Sequence, residues 1–357
     1  MNPAKIRLAI VGCGNIADRY AERIKTYSSC ELLGFSDLDP ARAQAFAARF
    51  GGRAYPSLEA LLADPAVDLV VNLTIHFAHY EVIKQCLQAG KPVHSEKPLS
   101  LHYREARELV DLAAARGLRL SCAPITYMGE GQQTAWKLLR SGAAGPVRLA
   151  YAEINHGRIE KWHPNPDPFY AAGVIWDVGV YPLTLLTTMF GPVRRVTAVG
   201  KVVYPDRVTK EGRAFHITTP DFVLAMLEFA GGLTARFTAN FYVRGGKQGG
   251  SLELTGDLGS IYLGDFQNFN GRVEFAKYGE PYEVVPPVRP PFEGVEFARG
   301  VEELAKAMLA GRPHPSTGAQ AAHVVEILEA METSMKSSGG VAVASDFTAP
   351  GPMDWAQ

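Results

Sequence analysis

Lys97, Asp177 and Tyr181 are side chains of the types that transfer protons. Asp177 and Tyr181 lie four residues apart, so a helix there would place both side chains on one face, one turn apart. A free tyrosine has a pKa of about 10, too high for a base at neutral pH, and Tyr181 therefore needs a cation such as Lys97 beside it. The alternative is structural, with Asp177 capping the start of a helix and Tyr181 packing as an ordinary aromatic side chain.

A glycine-rich motif at residues 12–17 has the pattern G-x-G-x-x-A and follows the apolar run 8–11. Gly12 permits a tight turn, Gly14 lets a pyrophosphate approach the backbone, and Ala17 lets the following helix pack close to the strand. The start of that helix supplies free N–H groups and the positive end of a dipole. The motif predicts a dinucleotide cofactor, with these candidate contacts: Gly12, Gly14, Asn15 and Ile16.

Asp37 follows the second apolar run, 23 residues after Gly14. An acid at this position accepts hydrogen bonds from both ribose hydroxyls of NAD and repels the 2′-phosphate of NADP. The alternative is a plain loop residue ahead of a helix, but Asp39 already serves as the N-cap of that helix. We predict NAD as the cofactor, with NADP as the alternative because Arg42 is nearby.

Two further segments end at the edge where such a cofactor binds. The run 69–73 leads into Thr74, His76 and His79, and the run 92–94 leads into Glu96-Lys97-Pro98. The carboxyl ends of parallel strands share one edge, where open α/β sheets bind their ligands. A lysine there can hydrogen-bond a reacting oxygen and lower the pKa of a neighbour. The candidate cofactor contacts at this edge are Thr74, His76, His79, Glu96 and Lys97.

His76 and His79 also allow a different interpretation. Their spacing makes a metal pair conceivable, but no third ligand stands near in the sequence, and a metal site needs one. We therefore predict no metal. For His79, an ordinary position at the start of a helix remains the alternative.

Short apolar runs alternate with amphipathic stretches up to about residue 122. The strand candidates are 8–11, 32–35, 69–73, 92–94 and 118–122, and the clearest helices are 40–50 and 80–89. Strict alternation of strand and helix indicates a parallel sheet covered on both faces. We predict an α/β fold whose N-terminal domain, residues 1–122, is a doubly wound Rossmann sheet.

From residue 123 the pattern changes to stretches rich in Val, Phe, Tyr and Thr with period-two alternation, as in 234–241. Glycine turns at 231–232 and 256–259 fall between these runs and suit antiparallel hairpins. Helical patterns occupy 132–141 and 318–336. We predict a C-terminal α+β domain, residues 123–357, with a large, mostly antiparallel open sheet.

Composition excludes several classes of partner. The chain has 36 Lys and Arg against 37 Asp and Glu and no basic stripe, so we expect no nucleic-acid partner. No segment approaches the roughly 18 uninterrupted apolar residues of a membrane span, so we expect no membrane partner. The four cysteines form no C-x-x-C pair and no zinc spacing. A reduced, cytoplasmic protein is the simplest interpretation.

The order of these motifs resembles one known family. The glycine loop, then Glu-Lys-Pro, then Asp-x-Gly-x-Tyr in a β-rich second half are similar to the glucose-fructose oxidoreductase, inositol dehydrogenase and MocA (Gfo/Idh/MocA) family. The resemblance covers nearly the whole chain, including a hairpin at 256–260. It implies NAD(P)-linked oxidation or reduction of sugars, polyols or related alcohols, and a homodimer or homotetramer built through the C-terminal sheet.

The resemblance assigns roles to the three side chains named first. Lys97 matches the family lysine that orients substrate and tunes the acid/base group, and Asp177 matches the motif acid. Tyr181 stands where many members have histidine, which is similar to the glucose-fructose oxidoreductase, xylose dehydrogenase and dihydrodiol dehydrogenase branches. Two segments depart from the family pattern: Thr74-Ile75-His76, commonly Thr-Pro-Asn, and residues 123–127.

A polar, aromatic and proline-stiffened segment, residues 156–166, lies between the motifs. Such a loop suits recognition of a hydroxylated substrate, because hydroxyls need paired donors and acceptors and aromatic rings stack on a sugar face. The candidate substrate contacts are Trp162, His163 and Asn165. The alternative is a surface connection rich in His and Asn.

These observations together predict an oxidoreductase that transfers a hydride between NAD and a sugar-like alcohol, with Tyr181 as the proton acceptor, Lys97 beside it and Asp177 in an orienting role. One alternative is an enzyme that keeps NAD tightly bound and uses it transiently for elimination or glycoside cleavage. Another is a nucleotide-sensing protein without turnover.

Overall fold

The computed structural model describes residues 5–246 and 249–357. The chain divides into a first unit, up to Ile125 together with Glu296–Val325, and a second unit, Thr126–Val295 together with Glu326–Gln357. Each unit has a sheet of its own.

The elements follow one another along the chain as strands, α-helices and short turns. The first part contains β1 (Ile6–Val11), α1 (Ala17–Ile24), β2 (Cys30–Ser36), α2 (Pro40–Phe50), β3 (Arg53–Ala54), α3 (Leu58–Ala63), β4 (Leu69–Asn72), α4 (His79–Gln88), β5 (Val93–Ser95), α5 (Tyr103–Ala115) and β6 (Leu120–Cys122). The middle part contains α6 (Glu130–Arg140), β7 (Val147–Asn155), α7 (Asp167–Ala172), α8 (Val180–Phe190), β8 (Val193–Lys201), β9 (Asp206–Val208), β10 (Ala214–His216), β11 (Phe222–Phe229), β12 (Thr234–Asn240), β13 (Gly250–Gly256), β14 (Gly259–Leu263), β15 (Val273–Lys277) and β16 (Glu283–Val285). The last part contains α9 (Arg299–Leu309), α10 (Gly318–Ser337) and β17 (Val341–Ala342).

The sheet of the first unit has the order β3-β2-β1-β4-β5-β6, with every neighbouring pair parallel. Its strands are apolar and buried on both faces; Leu8, Ala9 and Ile10 of β1 have no exposed surface. From β1 the chain adds β2 and β3 on one side of the sheet, and then β4, β5 and β6 on the other side. The carboxyl ends of β1 and β4, between which this change of side occurs, form the switch point of a doubly wound sheet. The predicted Rossmann sheet is confirmed.

Local signals set the helices of this unit. Helix α2 begins at Pro40, and Asp39 caps it by accepting a hydrogen bond from the Ala41 N–H at 3.0 Å. Its bounds, Pro40–Phe50, are those that the sequence predicts. Helix α4 begins one residue earlier than predicted, at His79.

The second unit is built on a nine-stranded sheet in the order β16-β15-β14-β13-β7-β12-β11-β8-β17. Only the β7–β12 pair is parallel among these neighbours, so the prediction of a large, mostly antiparallel sheet is confirmed. In β11, Val223, Ala225 and Leu227 are buried, whereas Leu224 and Met226 point to the opposite, open face. A separate hairpin pairs β9 with β10.

The first unit takes in a segment from far along the chain. The sequence places the end of the first domain at residue 122, whereas the first unit also includes Glu296–Val325, which carries α9. Val301, Leu304 and Ala305 of α9 belong to the same hydrophobic cluster as strand β1. Burial of apolar surface therefore joins residues that lie about 290 positions apart in the sequence.

Within the described ranges, the helices are all too short or too polar to cross a lipid bilayer. The same ranges contain no group of three or more His, Cys, Asp or Glu side chains placed to hold a metal ion.

A buried histidine lies inside the first unit. His94 of β5 has no exposed surface, and its Nδ1 lies 2.8 Å from the Ser121 Oγ, which in turn lies 2.6 Å from the Ser316 Oγ. Burial, followed by the nearby His314, lowers the pKa of His94 from 6.5 to about 3. The folded protein therefore holds His94 neutral at pH values where an unfolded chain would protonate it.

We expect the free energy of unfolding to fall between pH 6.5 and pH 3, because the unfolded chain then binds a proton that the folded protein excludes. One such group contributes a slope of about 1.4 kcal/mol per pH unit. Urea unfolding of His94→Asn from pH 7 to pH 4 should give a less stable protein with a shallower slope. The exposed His216 supplies the control, because its ion pair with Asp206 lies in solvent and His216→Asn should change the stability little. Equal slopes in wild type and His94→Asn would contradict this account.

Candidate functional site

The glycine loop is pressed against the neighbouring strand exit. Gly12 has φ +94°, and a Cβ built on it would lie 2.7 Å from the Leu73 carbonyl and from the Thr74 nitrogen. No side chain fits that space, and L-residues rarely adopt that φ. The backbone contact between the exits of β1 and β4 therefore requires glycine at position 12.

Gly14 is a different case, because a Cβ on it would meet no atom within 4 Å. Packing within the protein therefore does not require glycine at this position, and the open space leaves room for the diphosphate that the sequence predicts. Helix α1 starts beside it at Ala17, and its N-cap residue Ile16 makes no side-chain capping bond. A helix start without a side-chain cap, beside a glycine with open space, suits an anion, so the loop fits the predicted dinucleotide.

Asp37 ties the second strand exit to the glycine loop. Its Oδ2 accepts a hydrogen bond from the Cys13 N–H at 2.7 Å, and its Oδ1 accepts one from the Asp39 N–H at 2.9 Å. These bonds place a half-buried carboxylate next to the loop, where the sequence predicts contact with ribose. Arg42, the residue that favours NADP, lies 3.6 Å from the Asp39 carboxylate.

His79 joins two more segments of the same edge. Its Nδ1 lies 2.6 Å from the Pro98 carbonyl oxygen, and its Nε2 lies 3.0 Å from the Thr74 carbonyl oxygen. Burial lowers the pKa of His79, whereas the hydrogen bonds to those two carbonyls act to raise it. Both ring nitrogens are therefore occupied by backbone carbonyls of the protein. His76 lies in the preceding short turn, with its ring 4.2 Å from that of Phe77.

Glu96 is held by the protein through both carboxylate oxygens. Oε1 accepts a hydrogen bond from the Tyr20 hydroxyl at 2.7 Å, and Oε2 accepts one from the Lys97 N–H at 3.1 Å. Glu96 thus braces the backbone of Lys97 against helix α1. Lys97 itself is half-buried and precedes a cis peptide bond to Pro98. The edge therefore brings together the predicted residues of the first unit.

Asp177 and Tyr181 lie at the start of a long helical segment in the second unit. Residues Ile175–Gly179 form a single π-helical turn that continues into α8, and such turns are frequent at functional sites. The turn begins before Asp177, with Val174 as its N-cap, so the alternative in which Asp177 caps the helix is wrong. Both side chains are half-buried.

The loop 156–166 also belongs to the second unit. Trp162 is 38% exposed, and its ring lies 5.6 Å from those of His156 and His163. The His163 Nδ1 accepts a hydrogen bond from the Asn165 N–H at 3.1 Å, which places the neutral ring's proton on Nε2. The loop therefore presents an aromatic ring and an oriented N–H donor.

Sequence reasoning missed the residues that hold this loop in place. Glu160, at its centre, is 1% exposed and forms an ion pair with Arg207 at 3.1 Å. Arg207 lies in a polar stretch that carries no recognisable motif. Nothing in the local pattern indicates that this arginine is buried.

Comparison with known proteins bears on both halves of the chain. Residues 6–123 match the family model described as "Oxidoreductase family, NAD-binding Rossmann fold", and residues 132–262 match the "GFO/IDH/MocA C-terminal domain". The two models together span well over half of the chain.

Among curated relatives, the chain is 27% identical over 292 residues to the trans-1,2-dihydrobenzene-1,2-diol dehydrogenase of Mus musculus, covering 79% of this chain and 81% of the relative. It is 30% identical over 234 residues to the same-named enzyme of Oryctolagus cuniculus, covering 65% and 68%. Among solved structures, an NAD binding oxidoreductase from Klebsiella pneumoniae superposes with a TM-score of 0.86 at 20% identity, covering 96% of this chain and all of that one.

The contrast between the two glycines gives a test of the cofactor site. Gly14→Val should fold normally, because the space beside it is open, but should weaken NADH binding by about tenfold or more, the loss expected from blocking one close contact. Gly12→Val should instead lower the thermal unfolding temperature, because the new side chain meets backbone at 2.7 Å. The measurements are NADH fluorescence titration and thermal unfolding of each variant. Wild-type NADH affinity in Gly14→Val would rule out the loop as the cofactor site.

Proposed function

Because the chain belongs to the Gfo/Idh/MocA family of NAD-binding oxidoreductases, we propose that it transfers a hydride between NAD and a hydroxyl-bearing carbon of a sugar, polyol or related cyclic alcohol. The observation that supports the proposal is the set of hydrogen bonds at the carboxyl edge of the first sheet. There, hydrogen bonds link Asp37 to the glycine loop and join Thr74 to Pro98 through His79. A cyclic diol is a leading substrate class, because the curated relatives are dihydrodiol dehydrogenases.

The proposed cofactor contacts are the residues that the sequence predicts: Gly12, Gly14, Asn15, Ile16, Asp37, Thr74, His76, His79, Glu96 and Lys97. When bound, the nicotinamide accepts or donates the hydride. The Asp37 carboxylate, fixed beside the Cys13 N–H, favours NAD because it accepts ribose hydroxyls and repels a 2′-phosphate. The ion pair of Arg42 with Asp39 directs that guanidinium toward a carboxylate of the protein, which supports the same preference.

The proposed acid–base chemistry rests on three residues of the family motifs. Tyr181 accepts the hydroxyl proton of the substrate as the hydride leaves, and returns it in the reverse direction. The Lys97 cation lowers the pKa of Tyr181 and so stabilises the phenolate that accepts this proton, which leaves Tyr181 as a neutral phenol after the hydride transfer. The Glu96 carboxylate holds the Lys97 backbone. Asp177 orients the substrate or the lysine.

Trp162, His163 and Asn165 are proposed to bind the substrate. The exposed Trp162 ring offers a face for a sugar or cyclic diol, and the His163 Nε2–H offers a donor to a hydroxyl. Once bound substrate covers such a donor, an analogue that lacks the matching hydroxyl leaves the donor unpaired, so we propose that the loop determines substrate choice.

We also propose that two or four copies of the chain assemble through the open face of the second sheet, in the cytoplasm. That face carries large exposed apolar side chains on the paired strands β8 and β11, Val199, Leu224 and Met226, and a further one, Leu149, on β7. The adjacent side chains of Val199, Leu224 and Met226 support the proposal, because clustered exposed apolar surface marks interaction sites. The four cysteines are buried thiols, which fits a reducing compartment.

Tyr181→Phe should lower kcat by about 100-fold or more, the usual contribution of a positioned general base, while NADH still binds. The measurement is nicotinamide absorbance with NAD or NADP and a panel of aldoses, polyols, sugar acids and cyclic diols. Lys97→Met should also lower kcat while leaving the fold intact, because a half-buried lysine at a strand exit contributes little to the core.

The outcomes of that assay separate the alternatives. Wild-type turnover in Tyr181→Phe would remove Tyr181 from the mechanism. Product release from a glycoside without net change in absorbance would indicate transient use of the cofactor. Cofactor binding with no reaction on any substrate, unchanged by substitution at Lys97 or Tyr181, would indicate a nucleotide-sensing protein.

Light scattering of the Leu224→Lys, Met226→Lys double variant should show a monomer, whereas the wild type should show a dimer or tetramer. Two lysines on adjacent exposed positions of β11 place charge in the centre of the proposed interface. Tyr278→Lys is the control, because Tyr278 is 84% exposed and follows β15 outside that apolar patch. A monomeric wild type would end this part of the proposal.

A further inference from the structure

Arg207 of β9 is a fully buried charge, 1% exposed, in the second unit. Its Nη1 donates to both oxygens of the Glu160 carboxylate, at 3.1 and 3.2 Å, and its Nη2 donates to the Asp221 carboxylate. Its Nε donates to the Tyr204 carbonyl at 3.0 Å. All three nitrogens of the guanidinium therefore donate hydrogen bonds, each to a different partner. We call Arg207, Glu160, Tyr170 and Asp221 the arginine cluster.

The Tyr170 hydroxyl completes the arginine cluster. It accepts hydrogen bonds from the Arg207 Nη1 at 2.6 Å and from the Ile159 N–H at 3.2 Å, and it donates its proton to Glu160. The Arg207 guanidinium also lies 4.4 Å from the centre of the Tyr170 ring. Burial raises the pKa of Tyr170, and the bond to Glu160 raises it further, so this tyrosine stays protonated as a donor.

Asp221 carries the second negative charge and is 1% exposed. Besides Arg207, it accepts hydrogen bonds from the Val203 N–H at 2.6 Å and the Tyr204 N–H at 3.3 Å. Buried charges are tolerated only where pairing and hydrogen bonds replace the lost water, and every charged member of the cluster has such partners. A replacement that removes one member leaves another buried charge uncompensated.

The arginine cluster holds the loop that carries the proposed substrate contacts. Glu160 lies in the short turn Ile159–Lys161, directly before Trp162 and His163. A second contact fixes the start of the loop, because the Arg158 guanidinium lies 4.5 Å from the ring centres of both Tyr204 and Tyr242. Tyr204 therefore contacts the loop through Arg158 and the cluster through Arg207. The loop is therefore bound at Arg158 and at Glu160 to the same segment of the chain, residues 204–207.

We propose that Arg207 is a positioning residue for substrate recognition: through Glu160 it sets where Trp162 and His163 stand. This inference rests on the proposed function for its consequence in catalysis, since Arg207 itself is buried and touches neither substrate nor cofactor. Arg207 lies on strand β9 of the hairpin β9–β10, so its bonds to Glu160 connect that hairpin to the loop. Arginine suits this role because its rigid fork bonds a carboxylate in a fixed orientation, which the single ammonium of lysine does not.

The first experiment follows Trp162 without any substrate. The protein has four tryptophans, and 5-fluorotryptophan labelling with Trp162→Phe as the assignment variant identifies the ¹⁹F signal of Trp162. Arg207→Lys keeps the charge and protects the fold, and it should shift or broaden the Trp162 signal while the other three signals keep their positions. Glu160→Gln, which keeps the shape but removes the charge, should change the same signal.

Arg213→Met is the matched control. Arg213 lies beyond the turn of the same hairpin and pairs with Asp167, but both side chains are about half exposed, and the pair lies outside the arginine cluster. Its loss should leave the Trp162 signal unchanged, since exposed ion pairs hold little structure in place.

The second experiment measures kinetics on the best alcohol substrate. Arg207→Lys should raise KM for the alcohol by about tenfold, because misplacement of a positioning group weakens binding strongly, while Kd for NADH stays at the wild-type value. kcat should change less than KM, because Tyr181 and Lys97 are untouched. A variant that merely loosens the fold would instead lower the active fraction, and with it kcat, without a selective rise in KM.

An unchanged Trp162 signal in both Arg207→Lys and Glu160→Gln would overturn the proposal. So would a changed signal with a wild-type KM. If the wild type oxidises no alcohol at all, the proposed function fails; the Trp162 signal still decides whether Arg207 positions the loop, since that measurement needs no turnover.

Discussion

The contact between Gly12 and the peptide joining Leu73 to Thr74 constrains the carboxyl edge of the first sheet. The two strand exits meet backbone to backbone, at a distance that excludes any side chain. Once β1 and β4 end side by side in this way, the loop that follows β1 must turn with a positive φ and lead directly into α1. That turn places the start of α1 beside Gly14, where the space is open.

Other groups at this edge act mainly as braces. The Asp37 carboxylate holds the glycine loop, His79 spans two carbonyls, and Glu96 holds the backbone of Lys97. Each brace uses a charged or polar group of the kind that could contact a ligand, and each has its main partners within the protein. Preorganisation of this kind reduces the ordering that binding would otherwise cost.

In the second unit, the loop 156–166 is held in place by buried ion pairs. This loop has no regular structure beyond a single short turn, so backbone hydrogen bonds alone do not fix it. The arginine cluster replaces them with a buried set of ionic contacts, and the Arg158 contacts with two tyrosines add a second point of attachment. A loop held this way can carry polar recognition groups without collapsing into the core.

The amino-acid sequence by itself determined the features that depend on neighbours along the chain. The G-x-G-x-x-A turn, the Asp39 cap of α2 and the alternation of strand and helix all have local physical causes, and the two sheets could be predicted from them. Tertiary structure alone decided the return of α9 to the first core and the pairing of Glu160 with an arginine 47 positions away. It also decided that His79 faces two carbonyls and that Asp177 lies within a π-helical turn. These features depend on which surfaces are buried together. Burial is a property of the packed chain, and a polar residue that ends up inside has the same local pattern as one that stays in water.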